Sequence, residues 1–355
     1  MHYPIPQNND LSINKLSSVF NNTAASYKFY WFISLLQLIP SINSYKIPIK
    51  DILSKMICNA WYPINYFKLN FGYSDKFSEN IELIQKILNI PIDISLDDLF
   101  ILLKGTTNNQ VNKLIFHFEQ LVPYRFLSPW IKGSKIEVIQ KSQSFQNNCL
   151  YKLNRNINNS IEINSDLSNY LIKNNKILID FSYWNLLQYL QVRNPNVPNI
   201  GNKLIKPIIR GSLTNQRNFW NLVLKEIGTL KCIYTGKTLY VGTFDIEHFI
   251  PWSFVSHDQL WNLIPADSSV NSSKNNKLPP LEKYFDSFVD IQYKAINVIF
   301  NKNPKLKLLE DYLILGSNIN DILQKPYSDF KQKYYEIISP LIQIALNSGF
   351  ELWKS

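Results

Sequence analysis

Two long stretches of this chain place apolar residues every three or four positions, and between them that period breaks down. From Leu11 to about Gln120, Leu16, Val19 and Phe20 and then Phe29, Phe32, Leu35, Leu36 and Ile39 keep the interval, which predicts packed helices. Ser78 to Ile90 reads as an amphipathic helix, with Ser78 as N-cap and Glu79 and Glu82 near the positive end of the dipole. Asn108 to Leu121 is a second, with Asn108 in the capping place. Leu281 to Ser355 is again helical, with Gly316 and Pro340 as breaks. The aromatic run Ala60 to Gly72, interrupted by Pro63, suits either core packing at a bend or, beside Lys68, a surface on which bases stack.

Between Leu121 and Lys206 the pattern is irregular. Tyr151 to Asn164 predicts a hairpin turned at Asn158–Asn159, and Asn174–Asn175 suits a second pair of strands ending at KILIDF. A helix over SYWNLLQYLQV follows. Asn194 to Lys203, with two prolines and a glycine, is the best linker in the chain. A helix after Arg217 closes on Gly228, as a C-cap glycine would close it.

The 355 residues suit two or three domains, and 45% hydrophobic with 14% aromatic residues exclude a disordered chain. Lys and Arg exceed Asp and Glu by ten, which suits a polyanionic partner such as nucleic acid. Three widely spaced cysteines, Cys58, Cys149 and Cys232, argue against a disulfide scaffold and a Cys-rich zinc module. They favour a reducing compartment. No basic-then-apolar leader opens the sequence, and its most apolar run, Phe29 to Ile39, is too short to cross a bilayer. A cytoplasmic protein with no membrane partner is the expectation.

Chemistry concentrates in Cys232 to Pro279. In Phe244 to Ser253, apolar Phe244, Ile246, Phe249 and Ile250 flank Asp245, Glu247 and His248. On a strand the consecutive Glu247 and His248 point to opposite faces, while Asp245 shares a face with Glu247. A lone histidine there is usually a structural hydrogen-bonder. A loop holding His257 and Asp258 follows, and then Asn262, Asn271 and Lys274.

D-x-E-H-x-I-P-x-S, then N-L-I-P, then N-x-x-K resembles the signature of HNH, or ββα-metal, nucleases. Offsets of 14 from His248 to Asn262 and 9 from Asn262 to Asn271 are similar to the His-Asn-Asn version in the HNH domain of RNA-guided CRISPR nucleases. Cys232 to Lys237 resembles the CxxCGK knuckle that opens many HNH domains. The resemblance spans residues 232–279.

The resemblance implies that His248 is the general base and that Glu247 and the side-chain oxygen of Asn271 hold one Mg²⁺ or Mn²⁺. Asp245 is the weaker metal candidate. Asn262 is expected to orient His248 or to tie the loop down. Lys274, one turn beyond Asn271, is expected on a phosphate, as are Arg210 and Arg217. Arg193, Lys203, Lys206 and Lys231 accompany those arginines, a cluster that reads equally as a solvated basic loop. Two departures stand out. Thr235 occupies the place of the second knuckle cysteine and the later cysteine pair is missing, so no structural zinc is expected. Glu247 stands where Asp is commoner, which leaves the choice of metal open.

The expected fold is α+β and mainly helical, a small ββα-metal module between helical flanks. Its divisions are a helical recognition or partner region with a small hairpin at 1–200, the nuclease domain at 201–285, and a helical region at 286–355. The expected activity is metal-dependent hydrolysis of DNA, double-stranded by preference, in restriction or anti-phage defence. The N-terminal region then senses a trigger or binds a protein partner. One active site nicks one strand, so two cuts require a homodimer or two binding events. An RNA-cleaving enzyme and a non-catalytic nucleic-acid-binding module are the alternatives.

Overall fold

The computed structural model describes residues 5–8, 11, 13–41, 45–154, 159–207 and 211–354. The chain forms two compact units, one of residues 1–195 and 200–206, the other of residues 196–199 and 207–355. Each has its own core. No helix among the described residues is long and apolar enough to cross a membrane.

The first unit is helical around a small sheet. Its helices are α1 (Asn14–Ser17), α2 (Tyr27–Leu38), α3 (Ile49–Asn65), α4 (Phe77–Leu88), α5 (Leu96–Gly105), α6 (Asn109–Phe116), α7 (Val122–Phe126), α8 (Lys135–Ser142), α9 (Ser165–Lys173) and α10 (Asn175–Arg193). α2 is apolar on nearly all sides and packs between α3 and α10, so Phe29, Tyr30, Trp31 and Phe32 are each at most 2% exposed. Burying a side chain of this size contributes about 1.5–3 kcal/mol, so α2 contributes substantially to the unit's stability. Trp61, Phe67 and Phe71 of the aromatic run are equally buried, so that run is core. α3 carries Pro63 in its last turn and ends two residues later.

Strands β1 (Lys46–Pro48), β2 (Tyr151–Asn154) and β3 (Ser160–Ile163) form an antiparallel sheet in the order β1-β3-β2. The expected hairpin is therefore present as the β2–β3 pair, while Asn158 of its turn lies outside the described residues. The second strand pair is not. Residues through KILIDF are helical, because Leu178, Ser182 and Leu186 put a buried stripe at helical spacing on α10. Asn174 separates α9 from α10, and the Asn175 amide donates to the Leu36 carbonyl at 2.7 Å. The Asn-Asn pair thus turns helix into helix. Capping is legible elsewhere: Asn108 accepts from the backbone amides of Gln110 and Val111.

The second unit begins with α11 (Thr214–Ile227), which ends at Gly228 with φ +84°. There follow β4 (Leu230–Lys231), β5 (Thr238–Leu239), β6 (Asp245–His248), α12 (Trp252–Val255), β7 (Leu263–Ala266) and α13 (Ser268–Lys274). Three further helices complete it: α14 (Leu281–Lys302), α15 (Ile319–Gln324) and α16 (Tyr327–Asn347). β6 and β7 pair antiparallel, with Glu247 opposite Ile264 and His248 opposite Leu263. α14 covers this hairpin. Phe288 stacks on Phe249 at 4.1 Å, and the buried Gln292 donates to the carbonyls of Leu260 (3.2 Å) and Leu263 (2.7 Å). Tyr312 donates to the Gln292 oxygen at 2.7 Å, so that amide is satisfied at both ends. Past α16 the chain returns to the module: Leu278 donates to the Glu351 carbonyl (2.9 Å) and Trp353 to the Leu278 carbonyl (2.8 Å).

Candidate active site

Strand β6 carries the acid–histidine pair, and its alternation sends the two side chains to different surroundings. Both are buried, Glu247 at 7% and His248 at 8% exposure, so each needs a partner. Glu247 finds Lys274 of α13, whose Nζ lies 2.8 Å from Oε1 and also donates to the His248 carbonyl at 2.7 Å. His248 finds Asp258: Nε2 is 2.9 Å from Oδ1.

Lys274 is wholly buried. Burial pushes its ammonium pKa down, and the Glu247 carboxylate works against that shift. The phosphate contact expected of Lys274 is therefore corrected. Its charge is enclosed beside Glu247, where it compensates a carboxylate rather than meeting a backbone. The helical spacing from Asn271 did not distinguish the two, because both require Lys274 on the face of α13 that looks at β6.

Asp245, on the same strand face as Glu247, accepts from the Asn271 amide (Nδ2 to Oδ2, 3.3 Å) and pairs with Arg217 of α11 (Nη2 to Oδ1, 3.1 Å). Arg217 also donates to the Phe244 carbonyl and lies over the Phe244 ring. Its guanidinium thus braces the start of β6. Arg210, its companion in the sequence reading, lies outside the described residues. Of the other basic residues, Arg193 lies over the Tyr189 ring and Lys206 over the rings of Tyr62 and Tyr66.

Asn262 is fully buried and closes a small ring with Ile250, accepting from its amide at 2.8 Å and donating to its carbonyl at 2.9 Å. Its own carbonyl accepts from Phe249 at 2.8 Å. Of the two roles expected for Asn262, the contacts match tying the loop down. It fixes the backbone two residues beyond His248 and does not touch the imidazole.

Asp258 is the residue that sequence reasoning passed over. The loop was noted, but nothing in its sequence says that a side chain ten positions after His248 folds back onto the ring. A second contact holds it there: Gln216 of α11 donates to the Asp258 carbonyl at 3.0 Å. His257, beside it, accepts from the Gln259 amide at 3.3 Å, within its own loop.

The knuckle is closed by hydrogen bonds. Cys232 donates to the Lys237 carbonyl at 2.8 Å, and Gly236, at φ +73°, donates back to the Cys232 carbonyl at 2.9 Å. Buried Cys232 Sγ accepts from Asp267 at 3.4 Å, and Lys237 pairs with the Asp267 carboxylate at 3.0 Å.

The oxygen donors suit a hard divalent cation. Asp245 and Glu247 share one face of β6, and Asn271 places its amide nitrogen on Asp245, which turns its Oδ1 to accept. No cluster of three or more His, Cys, Asp or Glu side chains stands ready for a metal among the described residues. Two carboxylates are balanced here by Arg217 and Lys274, so the face is nearly neutral. A cation fits such a face best when a phosphate brings the missing negative charge with it.

Residues 232–280 match the family model described as HNH endonuclease. They form an HNH endonuclease domain. Over 91 residues, 24% of this chain, the sequence is 31% identical to the "CRISPR-associated endonuclease Cas9" of Listeria innocua. That match covers 6% of the Listeria protein, so the chain spans a small part of the relative's length. No solved structure matches the chain. Strand β6 supplies Asp245, Glu247 and His248, α13 supplies Asn271 and Lys274, the segment between β6 and β7 supplies Asp258 and Asn262, and α11 supplies Arg217. The domain's family is one of phosphodiester hydrolases, which agrees with the reading of the motif.

Proposed function

We propose that this protein is an endonuclease that hydrolyses phosphodiester bonds of double-stranded DNA with Mg²⁺ or Mn²⁺, one strand per active site, in prokaryotic restriction or anti-phage defence. The observation that carries the reading is the Asp258–His248 contact at the end of β6. A carboxylate at Nε2 favours the tautomer with its proton on Nε2, which leaves the Nδ1 lone pair to accept another. His248 then takes a proton from the attacking water as its oxygen bonds to phosphorus and the bond to the 3′ oxygen breaks. Asp258 steadies the imidazolium that forms. Asp245, Glu247 and the Asn271 oxygen would hold the cation, which when bound offsets charge on the phosphate and the departing oxygen. The chain's surplus of ten positive charges favours a polyanionic substrate, and the name of the Listeria relative agrees with a defence setting. The absence of a membrane-spanning helix among the described residues is compatible with work in the cytoplasm.

The test is a supercoiled-plasmid assay with Mg²⁺, Mn²⁺ or EDTA, comparing the protein with His248→Ala and running a structured RNA in parallel. Nicking that needs metal and is lost in the variant supports the proposal. Cleavage of RNA alone replaces DNA with RNA as the substrate. Retarded DNA on a gel with no cleavage under any metal replaces the enzyme with a binding module.

A further inference from the structure

In the first unit, the loop 22–25, the first turn of α2 and helix α7 line an open cavity of about 520 Å³. Sites for small organic ligands run from roughly 300 to 1,000 Å³. Lys28, Lys76 and Arg125 line it together with His117, and no Asp or Glu does. Leu121, Ala24 and Ala25 supply apolar surface.

The cations are not neutralised from within. Lys28 Nζ donates only to carbonyls, those of Val19 (3.3 Å) and Asn22 (3.1 Å). Arg125 Nε donates to the Tyr124 hydroxyl at 3.1 Å, and its guanidinium faces the Tyr124 ring. Neither has a carboxylate within ion-pair distance among the described residues. Lys76 alone is paired, with the exposed Glu79 at 2.6 Å. The buried acid nearby, Asp75, accepts from the amides of Ser26 (2.7 Å) and Phe77 (2.9 Å). Burial, and then the nearness of Arg125, push the Lys28 ammonium pKa down. Two like charges held together on a concave surface cost free energy, and an anion seated between them returns it.

We propose that this cavity binds a free nucleotide, with its phosphate groups between Lys28 and Arg125 and its base against Leu121. Inorganic phosphate would leave most of the volume empty. A sugar phosphate would turn hydroxyls to an apolar wall, whereas the flat face of a base suits it. The proposal is independent of the nuclease reading.

Isothermal titration of the full chain with the four ribonucleoside triphosphates and the four monophosphates tests it, with inorganic phosphate and adenosine as comparisons. At least one nucleotide is expected to bind one per chain, more tightly than either comparison. Arg125→Gln and Lys28→Gln are each expected to weaken it about tenfold or more, since each removes a charge-assisted hydrogen bond. Arg125 is exposed, so its variant is expected to fold, and circular dichroism checks both. Binding by none of the eight nucleotides overturns the proposal. So does equal affinity in both variants, which would mean diffuse attraction to a basic chain, and so does inorganic phosphate binding as tightly as the best nucleotide.

Discussion

His248 Nε2 and Asp258 Oδ1 lie 2.9 Å apart, across a loop that leaves β6 and returns through α12. A proton held between them would commit one ring nitrogen and present the other. Asp258→Ala is expected to lower kcat for plasmid nicking about 10- to 100-fold, the usual loss when a carboxylate orienting a functional histidine is removed. Little change is expected in KM, because Asp258 touches His248, the proposed base, and is not placed on the substrate. A fall in KM-controlled binding with kcat intact would refute the assignment.

Lys274 and Glu247 form a buried pair, so breaking it from one side should be costly. Lys274→Met strands a carboxylate and is expected to destabilise the second unit by about 3–5 kcal/mol in urea unfolding. Adding Glu247→Gln is expected to recover most of that loss. A double variant as unstable as the sum of the single ones would show that the two do not interact.

Asn262→Ala removes both hydrogen bonds to Ile250. Each orphaned buried group costs about 1–3 kcal/mol, so a loss of about 2–6 kcal/mol is expected in the same measurement. Hydrogen exchange at the Ile250 amide should quicken more than at amides of α16.

A cation held by Asp245, as proposed, would have to displace Arg217. Both side chains are about 40% exposed, which limits what the pair contributes. Arg217→Gln is expected to tighten Mn²⁺ binding without DNA by about two- to fivefold, read by paramagnetic resonance of the free ion. Weaker Mn²⁺ binding would instead make Arg217 a support that the site needs.

Lys203 is fully buried, and burial pushes its pKa down to about 7. In the unfolded chain it titrates near about 10.4. Between these values the unfolded state holds a proton that the folded state has shed, so stability from this group rises with pH above about 7. Lys203→Met is expected to stabilise the first unit by about 1–4 kcal/mol near pH 6, the gain shrinking toward pH 9. Urea midpoints at three pH values check it, and a gain independent of pH would contradict the shift.

The candidate site was legible in the sequence as far as spacing fixes where its residues stand. Glu247, His248, Asn262 and Asn271 could be named because a strand, a crossing loop and a short helix fix their offsets. Asp258 could not, since its role depends on how the loop closes in space. Lys274 was placed on the right helix face but in the wrong environment, because a pattern of residue types does not report burial. Asn174–Asn175 misled for a similar reason. Asn turns a chain in either context, and the decision lay with Leu178 and Leu186, whose stripe packs α10 against α2. The mainly helical α+β architecture followed from the apolar period itself.

The pairing of Leu278 with Glu351 and Trp353 ties the last residues of the motif to a segment more than seventy positions later. Together with Gln292 on the loop carbonyls, it means that the shortest piece of this chain able to behave as a unit is far longer than the stretch that identifies it. Grafting residues 232–280 into another protein would carry across the reactive side chains and leave behind the walls that hold them. Domain exchange, in the laboratory or in a genome, would have to cut well outside the recognisable letters.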